Sequence, residues 1–214
     1  MKKLFGLFVC VLALSGCVTM RTNVTTFHGV NHSERGTIVV TPVNDEQKSS
    51  LAFQSHSNLL LQKLIAVGYA AAQDANPGQY VAFMTYGIDS GKTSTGVVPI
   101  YGQTGGGTSF TSGNVTSSFG SSYNFNSTTT QMPTYGMVGA VPVKRTEYTR
   151  ELNIDIYRSG EKPVKVYEIR AKSAGSCGNI NAVVPAMIES VFKNFPGTSG
   201  KAVTVDVEVK GVDC

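Results

Sequence analysis

Glu147-Tyr148-Thr149-Arg150-Glu151-Leu152-Asn153-Ile154-Asp155-Ile156-Tyr157-Arg158 is the stretch from which the fold can be read. Tyr148, Leu152, Ile154 and Ile156 share one parity; Glu147, Glu151, Asn153 and Asp155 share the other. Strict alternation is the mark of a strand with one face on a core and one in water. Ser159-Gly160-Glu161-Lys162 supplies a turn. Val164 to Ala171 then pairs back, with an apolar parity that shifts between Val166 and Tyr167, as a bulge would produce.

Working outward toward the C-terminus, Val184, Met187, Ile188, Val191, Phe192 and Phe195 fall on one side of a helix, from about Asn179 to Asn194. Pro196-Gly197 stops it, and Val203, Val205, Val207 and Val209 alternate as a last strand. Toward the N-terminus, Gln79 to Ile88 is a largely apolar central strand after the turn Asn76-Pro77-Gly78. Before it, Asn44 or Asp45 caps a helix running to about Val67, with Phe53, Leu60, Leu64 and Val67 inward and Gly68 as its C-cap. Thr37 to Val43 is a strand that Pro42 places at an edge or an end. The order β-α-β, insertion, β-β-α-β predicts an α+β fold: a mixed sheet of about five strands with two helices on one face.

The insertion, residues 90–143, differs from everything around it. Of its 54 residues 29 are Gly, Ser or Thr, and Lys92 is its one charge. Tyr101, Phe110, Phe119, Tyr123, Phe125 and Tyr135 are spread through it without helical period. It is expected to be a flexible or β-like excursion whose aromatics supply contact area for a partner. The whole chain has 214 residues, 15% of them charged, with a net charge of +4. That balance excludes a strongly basic nucleic-acid binder and an acidic disordered chain.

The N-terminus carries an address. Lys2 and Lys3 precede the apolar run Leu4 to Leu14, which is too short to span a bilayer of about 30 Å as a helix. Leu14-Ser15-Gly16-Cys17 resembles the lipobox of bacterial lipoproteins. The resemblance implies that residues 1–16 are a signal peptide and that Cys17 becomes the mature terminus, with diacylglycerol on its sulfur and an acyl chain on its amine. Several chains together anchor stably where one would not. Val18 replaces the aspartate associated with inner-membrane retention, which implies the outer membrane, facing the periplasm. Residues 17–35 are expected to be a tether, followed by a single domain over 36–214.

An oxidising compartment favours pairing of Cys177 with Cys214. The helix carries the chain about 24 Å away and the last strand about 30 Å back, which brings the two cysteines together. Two free thiols or a redox-active pair are the alternatives, the latter disfavoured without a Cys-x-x-Cys arrangement.

Leu59-Leu60-Leu61-Gln62-Lys63-Leu64 leading into Gly68-Tyr69, the strand Tyr80 to Tyr86, Leu152 to Tyr157, and a helix ending in Phe195-Pro196 together resemble a large family of bacterial lipoproteins with an uncharacterised periplasmic domain. The similarity covers most of Gly36 to Gly197 and brings no catalytic residues with it.

Other motifs point to no activity. Gly87-Ile88-Asp89-Ser90-Gly91-Lys92-Thr93 has only three residues between its first glycine and Gly-Lys-Thr, and no helix follows to face a phosphate. His28 and His32 are four apart but lie in the expected tether, and His56, between Phe53 and Leu60 on the apolar side of the first helix, reads as a histidine at the edge of the core. Lys144, Arg145 and Arg150 form a basic cluster too sparse for nucleic acid. Glu147, Glu151 and Asp155 fit a solvated strand face, and no serine stands on a nucleophile elbow. These readings describe a non-catalytic envelope lipoprotein without catalytic, metal or cofactor sites. Its partners would be the membrane, through the anchor, and another envelope protein or a second copy. The alternative is a subunit of an oligomeric pore or secretion channel that uses the insertion as a membrane hairpin.

Overall fold

The computed structural model describes residues 18–29, 33–72, 78–209 and 214. They form β1 (Val18–His28), β2 (Thr37–Pro42), α1 (Leu51–Ala66), β3 (Ala70–Ala71), β4 (Tyr80–Ile88), β5 (Lys92–Thr116), β6 (Ser122–Arg158), β7 (Val164–Gly175), α2 (Ile180–Phe192) and β8 (Ala202–Val209). The chain divides into two compact units: Thr93–Arg145, and the body made of the residues on either side of it. The strands pair as a mixed sheet of eight in the order β3-β2-β4-β6-β7-β1-β8, with β5 pairing β6. The expected count of about five was short by three: β1, β3 and β5.

In the body, β2 runs parallel to β3 and β4, and every other pair is antiparallel. β6 is central and places Ile154 between Met84 of β4 and Ile169 of β7. Leu152, Ile154 and Ile156 are fully buried, together with Ala82, Met84, Ile169 and Ala171 on the neighbouring strands. Each large aliphatic side chain so buried contributes about 1.5–3 kcal/mol of transfer free energy. The register slips after Ile156↔Tyr167, because Tyr157 pairs with Lys165 and leaves Val166 as an extra residue. This bulge turns both Val166 and Tyr167 into the core.

Both helices cover this one face. Asn44 caps a short 3-10 turn, Asp45–Ser49, and α1 itself starts only at Leu51, where the Ser50 hydroxyl accepts from Phe53 N–H at 3.3 Å. Gly68, just past the C-cap Val67, takes φ +102°, which a side chain would resist. Phe53, His56, Leu60 and Leu64 face inward from α1; Val184, Met187, Ile188 and Val191 do so from α2. Lys63 and Glu189 form an ion pair between the two helices.

The largest correction concerns the expected tether. Val18–His28 is not a linker but an interior strand, β1, paired with both β7 and β8. Its inward residues are Met20, Thr22, Val24 and Thr26, so every second core position is a threonine. Thr22 is satisfied by the Ser190 hydroxyl of α2 at 3.3 Å, and Ser190 by the carbonyl of Ala186 at 2.8 Å. His28, assigned to the same linker, ends this strand, and its backbone N–H donates to Ser199 Oγ at 3.1 Å. His32 and Cys17 lie outside the described residues, as do the expected signal peptide and most of the expected 76–78 turn.

Candidate functional site

Thr93–Arg145 is a two-stranded antiparallel ribbon built from β5 and the first part of β6. Thr, Val, Tyr and Phe favour the pleated backbone, and the strands close through a turn in which Gly120 adopts φ +84° and donates to the Ser117 carbonyl at 3.0 Å. Cross-strand side-chain bonds hold the register. Asn114 Nδ2 donates to Asn124 Oδ1 at 2.8 Å, Thr116 and Ser122 hydroxyls meet at 3.1 Å, and Thr108 and Thr130 at 3.5 Å. Nearer the base, Thr104 Oγ1 donates to the Thr134 carbonyl at 3.3 Å.

These pairs put one polar face on the outer half of the ribbon. Val115, Tyr123 and Phe125 have the opposite parity and form the other face. Gly113 leaves room there, since a Cβ on it would lie 2.5 Å from the Phe125 ring. Gly106 and Gly107 have φ of +90° and +127°; the first passes so close to Met132 and Pro133 that no side chain would fit.

All six aromatics singled out from the sequence, Tyr101, Phe110, Phe119, Tyr123, Phe125 and Tyr135, are exposed. Phe119, at the turn, is 97% exposed. They are not gathered into one cluster: Tyr123 and Phe125 share a face, Phe110 lies on the polar side, and Tyr101 and Tyr135 belong to the other half. A second set of exposed apolar side chains lies in the ribbon: Val97, Ile100 and Met137, which the sequence places on two paired arms, and Val115 and Met132, which it does not single out. From Thr93 to Val143 there is no charged residue.

The body offers less. The phosphate-loop look-alike is a junction between β4 and β5: Asp89 Oδ1 accepts from Gly91 N–H at 3.0 Å and Thr149 N–H at 2.9 Å. The Thr149 bond, helped by that of Gly91, holds the Asp89 carboxyl below its ordinary range. On the side of the sheet away from the helices, Asp155 accepts from Arg170 at 2.7 Å and Lys165 at 3.3 Å, and Glu151 pairs with Lys172 at 2.7 Å. This is the solvated charged face expected from the alternation.

A shallow groove is lined by Glu34, Arg35, Gln79, Tyr80, Arg158 and Ser159. Beside it the Arg35 guanidinium lies 4.8 Å from the centroid of the Tyr69 ring. Burial pushes the Tyr69 hydroxyl up to about 12, and that hydroxyl has no hydrogen-bond partner among the described residues.

Arg150 departs from expectation. Far from joining an exposed basic cluster with Lys144 and Arg145, it is 3% exposed, and its Nε has no hydrogen-bond partner among the described residues. Burial lowers its pKa against the opposing pull of Glu147 and Asp89. Its parity with Leu152 and Ile154 carries it to the helix side of β6. His56 is buried between the helices, edge-on to Tyr86 at 5.3 Å, with Nε2 3.4 Å from Asn181 Oδ1. Burial lowers its pKa, only partly offset by Asn181. Among the described residues no three His, Cys, Asp or Glu side chains come together as a metal site, and no helix is long and apolar enough to cross a membrane. Cys177 and Cys214 form a disulfide, with Cα atoms 4.9 Å apart.

No family model matches the chain, and no curated protein matches it by sequence. Among solved structures it is similar to a PDZ domain protein from Parabacteroides distasonis ATCC 8503, at 10% identity and a TM-score of 0.43 over 93% of this chain. The chain spans 41% of that protein's length.

Proposed function

We propose that this chain is a non-catalytic binding or scaffold module of the cell envelope. Lipid on Cys17 anchors it to the outer membrane, and the Thr93–Arg145 ribbon is the element that meets its partner. The observation that carries the reading is the ribbon itself: a long pair of strands, uncharged from Thr93 to Val143, with its aromatic side chains in solvent. An isolated two-stranded hairpin is marginal in water at best, and a long uncharged edge strand is a template for pairing with another chain. A ribbon of this kind is held in reserve for a partner that completes it. Exposed Tyr and Phe supply the large, amphipathic area that interfaces favour.

Two experiments test this. A photo-crosslinking residue at Phe119 or Tyr135 in the full chain, in intact cells, gives protein adducts, whereas one at Glu208 on β8 gives none. Adducts confined to the body would refute the assignment of the ribbon. The anchor predicts that Cys17→Ala abolishes incorporation of radioactive palmitate, and labelling that persists in the variant is incompatible with it.

A further inference from the structure

Resting on the ribbon as the partner-binding element, we infer that its partner is the ribbon of a second copy. Copies associate edge to edge in a continuous antiparallel sheet that closes into a ring.

Three observations point to self-pairing. The first is direction. The strands of the ribbon are antiparallel and present one edge each, β5 on one side and β6 on the other. Two such ribbons side by side and pointing the same way bring β6 of one against β5 of the next, again antiparallel. The contact is heterologous, so each copy keeps one edge for another neighbour, and rotation about a common axis closes the ring. Closure alone removes the edges.

The second is charge. Natural edges are guarded with lysines and other charges, yet none occurs from Thr93 to Val143. Pro99, Pro133 and Pro142 are the residues there that cannot donate from the backbone. Like charges facing each other would separate identical copies; a neutral edge carries no such penalty. Asn114–Asn124, Thr116–Ser122 and Thr108–Thr130 already form cross-strand polar pairs within one copy. The same Asn, Thr and Ser side chains recur on the next copy and extend those rows.

The third is extent. β5 offers 25 residues, inside the roughly 20–30 per side of a stable protein interface. A foreign partner would need a free strand of similar length and equally poor in charge, and this chain carries one at each edge, uncharged over 93–116 and 122–143.

The experiment uses the full chain in mild detergent, with native mass spectrometry and hydrogen–deuterium exchange. Oligomers are expected, with slow exchange of amides across 94–116 and 122–143. The double variant Thr111→Lys, Thr129→Lys puts a cation on each edge strand and should give monomers with an unchanged circular-dichroism melt of the body. The control Thr111→Ser, Thr129→Ser should remain oligomeric. A monomeric wild type overturns the inference, as do oligomers that survive the lysines or leave the ribbon amides fast. If the wild type is monomeric while crosslinkers at Phe119 or Tyr135 still capture another envelope protein, self-pairing fails and the binding-module reading stands. If the ribbon neither pairs nor crosslinks, both fail.

Discussion

Cys177, just before α2, is bonded to Cys214, 37 residues further along the chain. Between them lie α2 and β8, so the bond closes a loop around a complete helix–strand unit. In the chain-entropy model a loop of this length is worth about 4 kcal/mol. Cys177→Ala, Cys214→Ala and the double variant should all lose about that much in urea unfolding. A double variant much less stable than either single one would show that the cysteines contribute separately.

His56 makes stability depend on pH. Its pKa is lowered in the folded chain by burial, so the unfolded chain binds the proton more readily. Stability from this group is full above the unfolded value of about 6.5 and is lost as pH falls through the folded value. The melting temperature should therefore drop between pH 7.5 and the acid side of that range. His56→Gln, which cannot titrate, should flatten the profile, and an unchanged slope would assign the effect elsewhere.

Arg150 should prove dispensable for stability. A buried cation without full compensation costs more in lost hydration than it returns, and replacing it with an apolar side chain of similar length is often neutral or favourable. Arg150→Met is expected to keep or raise the denaturation midpoint. Gly175→Ala, in contrast, directs a methyl into the Arg150 guanidinium and should cost about 1–3 kcal/mol. Combining the two should recover part of that loss, because they act on one site.

Exposed ribbon aromatics should separate folding from binding. Phe119→Ser and Tyr135→Ser remove side chains that lie in solvent, so the melt of the body should move by no more than about 0.5 kcal/mol. Crosslinking through the ribbon should fall with the same substitutions. Ile154→Ala, at a fully buried position, should cost about 2–5 kcal/mol.

Periodicity revealed what packing enforces. β6, β7 and β8 alternate in the sequence because one face meets two helices, and the Val166 bulge shows as a slip of parity. β1 was illegible for a physical reason: Thr22 and Thr26 stand at core positions, so inward and outward residues look alike. What identifies Thr22 as a core residue is a hydroxyl partner on α2, Ser190, 168 residues away, which no local pattern contains. Arg150 was hidden in the opposite way, a charge on the parity of Leu152 and Ile154. The ribbon announced itself by composition. Gly, Ser and Thr suit loops and pleats alike, so composition alone left strand and flexible chain undivided.

β1 begins at Val18, paired with Val209, which would leave the proposed anchor at Cys17 no slack. Neighbouring Cα atoms are about 3.8 Å apart, so a lipid on that residue would moor the Val18–Val209 corner of the sheet directly at the bilayer surface. A leash of nearly twenty residues would let the domain wander and tumble. On the proposed anchor, a copy moored by its own sheet would keep a limited set of tilts to the membrane, and neighbours on one leaflet would search for each other in two dimensions rather than three.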